Sequence, residues 1–273
     1  MILSMLEQAL IALPLLLGGY ITLSLLKLPD FSLESAYLFG AVMAYVAKDC
    51  PLPCILLSAT LGGIVVGSIV ATMNQLLKLP FLLGAIITNG LFHGLTQYIL
   101  GTSMASFHPA LPCSEPLLFS LIAVSLIAIL GLLLRSQMGY SLAIYGNNPL
   151  FFQHHPISGR SVLYFGVMVG HGCAAIGGSL FAISNGLVDL TMNFGVILLC
   201  LTALVVGKSI IRTESPNLLI PLVGLIAYFC IQQTLLQLGF NLKYFNSFQA
   251  LFVLGTLCLL QKKKKLSLDH LGV

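Results

Sequence analysis

The chain has 273 residues, of which 58% are hydrophobic and only 7% charged, with a formal net charge of +4. Soluble domains average about 25% charged residues, so these few charges cannot cover a water-facing surface, and a soluble globular protein is excluded. Runs without Lys, Arg, Asp or Glu at 8–26, 50–77, 79–114, 116–134, 161–188, 190–207, 215–242 and 244–261 are close to the roughly 20 apolar residues a spanning helix needs; they do not fit the short alternating strands of an outer-membrane barrel.

The predicted fold class is all-α: a polytopic membrane helical bundle of about nine hydrophobic segments (eight to ten), forming a single transmembrane domain over 1–273. The first segment, 5–26, begins in MILSMLEQAL, which lacks a basic n-region and a small-residue cleavage site, and reads as a spanning segment rather than a removable signal peptide. The second, 31–47, is short and follows Lys27-Leu-Pro-Asp30 with hardly any loop. Segments 52–73 and 79–100 come next. In the latter, Asn89, His93 and Gln97 fall at i, i+4 spacing, on one helical face that lipid would leave with unpaired donors. Glycines four apart at Gly63/Gly67, Gly90/Gly94 and Gly166/Gly170 predict close helix contacts.

Segment 117–134 leads into a polar, turn-rich loop, 136–160, centred on Gly146-Asn147-Asn148-Pro149. Asn148-Pro149 reads as an N-cap followed by proline at the first helical position, starting a helix that runs to about His155 and stops before Pro156. Gly146 is expected to end a preceding short helix, Gly139 to Tyr145, as a C-terminal glycine does. Phe151 and Phe152 are expected to project from the result. On these residues alone the loop fits either a rigid protrusion or an amphipathic loop resting on lipid headgroups.

Segment 162–185 contains His171, which reads as a satisfied interior histidine, and is followed by the short stretch 192–207. Between them Asp189 is the only charge in 161–207. At the centre of a membrane helix an Asp costs roughly 2.5–3.5 kcal/mol on insertion scales, so Asp189 either caps an external turn or lines a polar path with Thr191 and Asn193. Asp30, with Ser32, receives the same two readings. Gly207-Lys208-Ser209 resembles the end of a phosphate-binding loop, but the earlier glycine is replaced by Thr202 and no strand precedes it. Segments 217–238 and 244–260 complete the bundle before a basic tail, 261–273, carrying Lys262 to Lys265. That run reads as a cytoplasmic anchor and not as a nucleic-acid patch. The cysteines show no zinc spacing, and nothing points to a disulfide-stapled domain.

Arg135, Arg160, Lys208, Arg212 and the lysine tail all fall on one side of this topology, which makes that side and the C-terminus cytoplasmic and the N-terminus external; Lys48 and Lys243 fall outside. Aligned without gaps, LPDFSLESAYLFGAVMAYVA (28–47) and LVDLTMNFGVILLCLTALVV (187–206) place Asp30 on Asp189, Ser32 on Thr191 and Glu34 on Asn193. The two stretches cross in opposite directions. An inverted repeat with two broken or short helices at corresponding places points to a transport path, for which Asp30, Ser32, Asn89, His93, Asp189, Thr191 and Asn193 are the candidate lining residues.

The loop written M-G-Y-S-L-A-I-Y-G-N-N-P resembles the cytoplasmic loop of ABC-importer permeases of the branched-chain amino acid and ribose type, with Gly139, Leu142, Gly146, Asn148, Pro149 and Gly159 matching. The stretch GGSLFAISNGLVDLTMNFG and the N-terminal region resemble the same family, closest to an uncharacterised, amino-acid-linked branch. The resemblance implies a transport subunit rather than an enzyme. It would have no cofactor of its own, ATP and Mg being held by a cytosolic ATP-binding-cassette ATPase. It further implies an extracytoplasmic substrate-binding protein, a second permease copy in a homodimer, and location in the bacterial inner membrane. Gly139, Leu142, Gly146, Asn147, Asn148, Pro149, Phe151, Phe152 and Gly159 would form the coupling loop. The loop departs from the family at Leu150 to His155, where relatives carry charges. The competing readings are an ion-coupled secondary transporter using Asp189 and Asp30 and a non-transporting membrane scaffold.

Overall fold

The structure, a computed structural model, describes residues 2–112, 114–154, 156–211, 213, 215–239 and 244–256. It is almost wholly helical, in the order α1 (Ile2–Gly19), a π-helical turn (Tyr20–Leu25), α2 (Leu33–Val46), α3 (Leu52–Gln75), α4 (Phe81–Leu100), β1 (Met104–Ser106), α5 (Glu115–Arg135), α6 (Gln137–Asn147), a 3₁₀ turn (Pro149–His154), α7 (Gly159–Asn185), β2 (Leu187–Asp189), α8 (Val196–Ile210) and α9 (Leu219–Gln237). Residues 245–256 are also helical. Among the described residues five helical stretches are long and apolar enough to cross a membrane: Met5–Leu25, Leu52–Gln75, Glu115–Arg135, Gly159–Asn185 and Leu219–Gln237. The basic tail, 261–273, lies outside the described residues.

The bundle is built around α7, whose span is mostly buried against α1, α2 and α3. Small residues permit this. A Cβ on Gly178 would lie 1.9 Å from the Tyr37 carbonyl oxygen, and one on Gly63 would lie 2.4 Å from that of His171, so both helices touch α7 backbone to backbone. Gly67, Gly166 and Gly170 face similar close contacts, as their spacing predicts. Gly90 and Gly94 do not: nothing lies within 4 Å of a Cβ at either position, because they fall on the face of α4 turned away from α2 and α3. On the other side of α1, α8 and α9 pair closely, with Gly224 set against the Ala203 carbonyl. Leu117, Leu121, Val124 and Leu132 of α5 are exposed, the outward apolar face of a helix solvated by lipid.

The two short segments are broken helices. After the π-helical turn, Lys27 adopts a left-handed conformation (φ 55°), and an extended stretch leads to α2, which is only 14 residues long. Tyr45 near the end of α2 meets Phe107 edge-on at 6.3 Å, beside the antiparallel β1–β2 pair that matches Met104 with Asp189. α8, 15 residues long, starts on the β2 side and ends at Ile210, with Lys208 of its last turn lining a cavity shared with Lys27 and Asn147. So α2 runs toward the β1–β2 pair and α8 runs away from it, opposite directions for the two stretches that the sequence aligns.

Candidate functional site

The loop 136–160 is a helix, a bend and a tight turn. Ser136 caps α6, accepting from the Gly139 amide (3.4 Å), and Asn148 accepts from the Leu150 amide through Oδ1 (3.2 Å) and from the Phe151 amide through its carbonyl (3.2 Å). The Asn-Pro start is therefore as predicted. Gly146 does not end the helix: α6 continues to Asn147. A Cβ at Gly146 would lie 1.9 Å from the Leu25 carbonyl oxygen, so its missing side chain lets α6 rest on the chain just after α1. The two phenylalanines also divide. Phe151 is 47% exposed, whereas Phe152 is 7% exposed and turned inward against Tyr145, with ring centroids 6.0 Å apart, and against Gly159. Leu142 is fully buried and reaches the α7 backbone at Gly166. Burial raises the Tyr145 phenol above its ordinary value, partly offset by a hydrogen bond with Gln75. Lys27 donates to the Asn147 side chain. The loop is thus fixed to the ends of α1, α3 and α7. Beside it a cavity of about 540 Å³ is lined by Tyr20, Ser24, Lys27, Asn147 and Lys208.

Asp30 and Ser32 are buried against His171, a partnership the sequence did not reveal because 139 residues separate Ser32 from His171. Asp30 Oδ1 accepts from the Ser32 amide (3.1 Å) and hydroxyl (2.5 Å), Ser32 Oγ lies 2.8 Å from His171 Nε2, and Asp30 Oδ2 lies 3.6 Å from the same nitrogen. His171 Nδ1 faces the Val167 carbonyl at 2.8 Å and must carry a proton there. A carboxyl group inside a membrane bundle is tolerable only where neighbours hydrogen-bond it, and Ser32 and His171 are those neighbours.

Asp189 and Thr191 stand apart from this cluster, beside the β1–β2 pair. Asp189 Oδ1 accepts from the Thr191 amide (2.8 Å) and hydroxyl (2.9 Å). Asn193 is buried with an unpartnered Oδ1, and Glu34 of α2 accepts from the Ile197 amide (3.4 Å) in the first turn of α8. Asn89 accepts from the Ser35 hydroxyl, whereas His93 is exposed one turn further along α4. Between α1, the end of α7, the start of α8, α9 and the helix at 245–256 lies a second cavity of about 410 Å³. Tyr37, Phe181, Phe194, Tyr228, Phe229 and Phe245 line it. Sequence reasoning missed this aromatic enclosure because its members come from separate segments.

With the loop, the broken helices and the two cavities in place, the relationship to known proteins is direct. Residues 1–257 match the family described as branched-chain amino acid transport system / permease component, and the chain belongs to that family. It is a transport subunit, a multi-pass protein of the bacterial plasma membrane. It is 29% identical over 251 residues to an uncharacterized protein of Rickettsia prowazekii (strain Madrid E), covering 86% of this chain and 89% of that one. It is also 29% identical over 218 residues to a protein of Clostridioides difficile (strain R20291) named tyrosine transport system permease protein, covering 77% of this chain and 74% of that one. No solved structure matches the chain.

Proposed function

We propose that the chain is the membrane subunit of an ATP-driven amino-acid importer, with an aromatic amino acid as its solute. The solute follows from the name of the Clostridioides difficile relative and from the aromatic cavity. The observation that carries the coupling role is the loop's fixation: α6 rests on Leu25–Leu26 through Gly146, and Phe152 and Leu142 anchor it while Phe151 stays exposed. Such a loop passes a push to α1 and α7 instead of absorbing it, which a two-state transporter requires. In this reading a cytosolic ATP-binding-cassette ATPase, which holds ATP and Mg, grips the loop. A binding protein delivers solute at the β1–β2 end, and a second copy of the chain completes the transporter. The loop end faces the cytoplasm together with the C-terminus; the N-terminus is external. The candidate path residues Asp30, Ser32, Asn89, His93, Asp189, Thr191 and Asn193 then divide between a buried lock, the α2–α4 contact and the external turn.

The test is co-purification with an ATP-binding-cassette ATPase from the same organism, followed by solute-stimulated ATP hydrolysis in nanodiscs. Stimulation that disappears on Asn148→Ala with Pro149→Gly supports the proposal. Solute uptake by this chain alone under an ion gradient would overturn it in favour of a secondary transporter.

A further inference from the structure

The solute's own position is the question the geometry takes furthest. We infer that the cavity of about 410 Å³ between α1, α7, α8, α9 and the helix at 245–256 is a solute site for a zwitterionic aromatic amino acid; this rests on the amino-acid permease reading above. The volume lies within the roughly 300–1,000 Å³ of small-molecule sites. The walls supply ring faces and edges from Tyr37, Phe181, Tyr228, Phe229 and Phe245, surroundings in which a ligand ring finds offset or edge-on partners.

The polar groups point to a ligand as well. Gln249 is 3% exposed; its Nε2 donates to the Tyr228 hydroxyl, and its Oε1 has no partner. Gln232 Oε1, lining the same cavity, is a second buried acceptor with no partner. Buried acceptors are costly to leave unmade, and two in one cavity suit the donors of a ligand ammonium. The carboxylate end fits beside Gly195, where the Asn246 side-chain amide lines the cavity as a hydrogen-bond donor; the start of α8 itself is already met by Glu34 at the Ile197 amide. No Lys, Arg, Asp or Glu lines the cavity among the described residues. A zwitterion with a neutral side chain is therefore favoured over lysine or glutamate, whose extra charge would have no counterion.

The chain contains no tryptophan, so the full-length protein in detergent micelles adds no indole background. The anisotropy of free L-tryptophan fluorescence then reports binding directly. The expected result is saturable binding displaced by L-tyrosine and L-phenylalanine, and at least about tenfold less well by L-alanine, L-lysine and L-glutamate. Gln249→Leu and Phe181→Ala should each weaken binding about tenfold or more while eluting from size exclusion as the unaltered chain does; Leu121→Ala on the outer face of α5 should not. No saturable binding, displacement by lysine as readily as by tyrosine, or full affinity in both cavity variants would overturn the inference. Failure of the importer reading looks different: solute-stimulated ATP hydrolysis would survive the Asn148 and Pro149 variants whatever the cavity variants do to binding.

Discussion

Asp30 and Asp189 accept the same two hydrogen bonds, each from the amide and the hydroxyl of the residue two positions on, Ser32 and Thr191 respectively. Both motifs precede a shortened helix, and the two helices run in opposite directions. One junction is closed off beneath α7 by His171, whereas Thr191 is exposed beside the β1–β2 pair. The local turn is the same and its surroundings differ, so the two aspartates should respond differently to the same substitution.

Replacing His171 by Leu removes the imidazole that meets Ser32 Oγ and stands beside Asp30 Oδ2. Leaving a buried polar group without its partner costs about 1–3 kcal/mol, so His171→Leu should lower the melting temperature in micelles. Asp30→Asn combined with His171→Leu should recover part of that loss, because no carboxylate is then stranded. Equal, additive losses would show that the two side chains do not interact.

Asp189→Ala removes the side-chain acceptor of the turn that follows β2, a loss comparable to a helix-cap substitution of about 1 kcal/mol. A thermal melt should therefore separate it from Asp30→Ala, which should be far more damaging. Equal shifts would contradict the contrast in burial.

Gly146→Ala should be the most disruptive methyl group in the loop. Its Cβ has nowhere to go beside the Leu25 carbonyl, and overpacking typically costs about 1–3 kcal/mol. Limited proteolysis within 136–160 should accelerate in this variant. Gly94→Ala, with nothing within 4 Å, should leave cleavage and melting unchanged.

A photocrosslinker at Phe151 should capture the cytosolic ATPase, and one at Phe152 should capture segments of the chain itself, since only Phe151 is exposed. Capture of the ATPase from both positions, or from neither, would mean the loop docks by another face.

The external assignment of the β1–β2 end can be checked with natural cysteines. Cys50, in the α2–α3 connection, and Cys54, in the first turn of α3, are exposed, as is Cys230 of α9, whereas Cys173 and Cys200 are buried. With Cys113, Cys230 and Cys258 replaced by Ser, a membrane-impermeant maleimide should modify Cys50 and Cys54 in right-side-out spheroplasts and fail to do so in sealed inverted vesicles. The opposite pattern would reverse the orientation.

Much of this architecture was legible because lipid demands long charge-free runs, and because the Asn148-Pro149 start and the Asp-x-Ser/Thr turns are local devices. Contacts between distant segments were not. Gly146 follows a pattern that also fits a helix end, and only the position of Leu25 reveals that it serves close approach. Phe151 and Phe152 are adjacent in the chain, so nothing in their order says which one turns inward. Gln249 and Phe181 meet at one cavity only because α7, α9 and the last described helix converge there.

The short β1–β2 pair binds the α4–α5 connection to the α7–α8 connection at the end remote from α6. The two strands are far apart in the chain, so this clasp ties the entry to α5 and the exit from α7 through backbone hydrogen bonds, which an exchange of side chains does not remove.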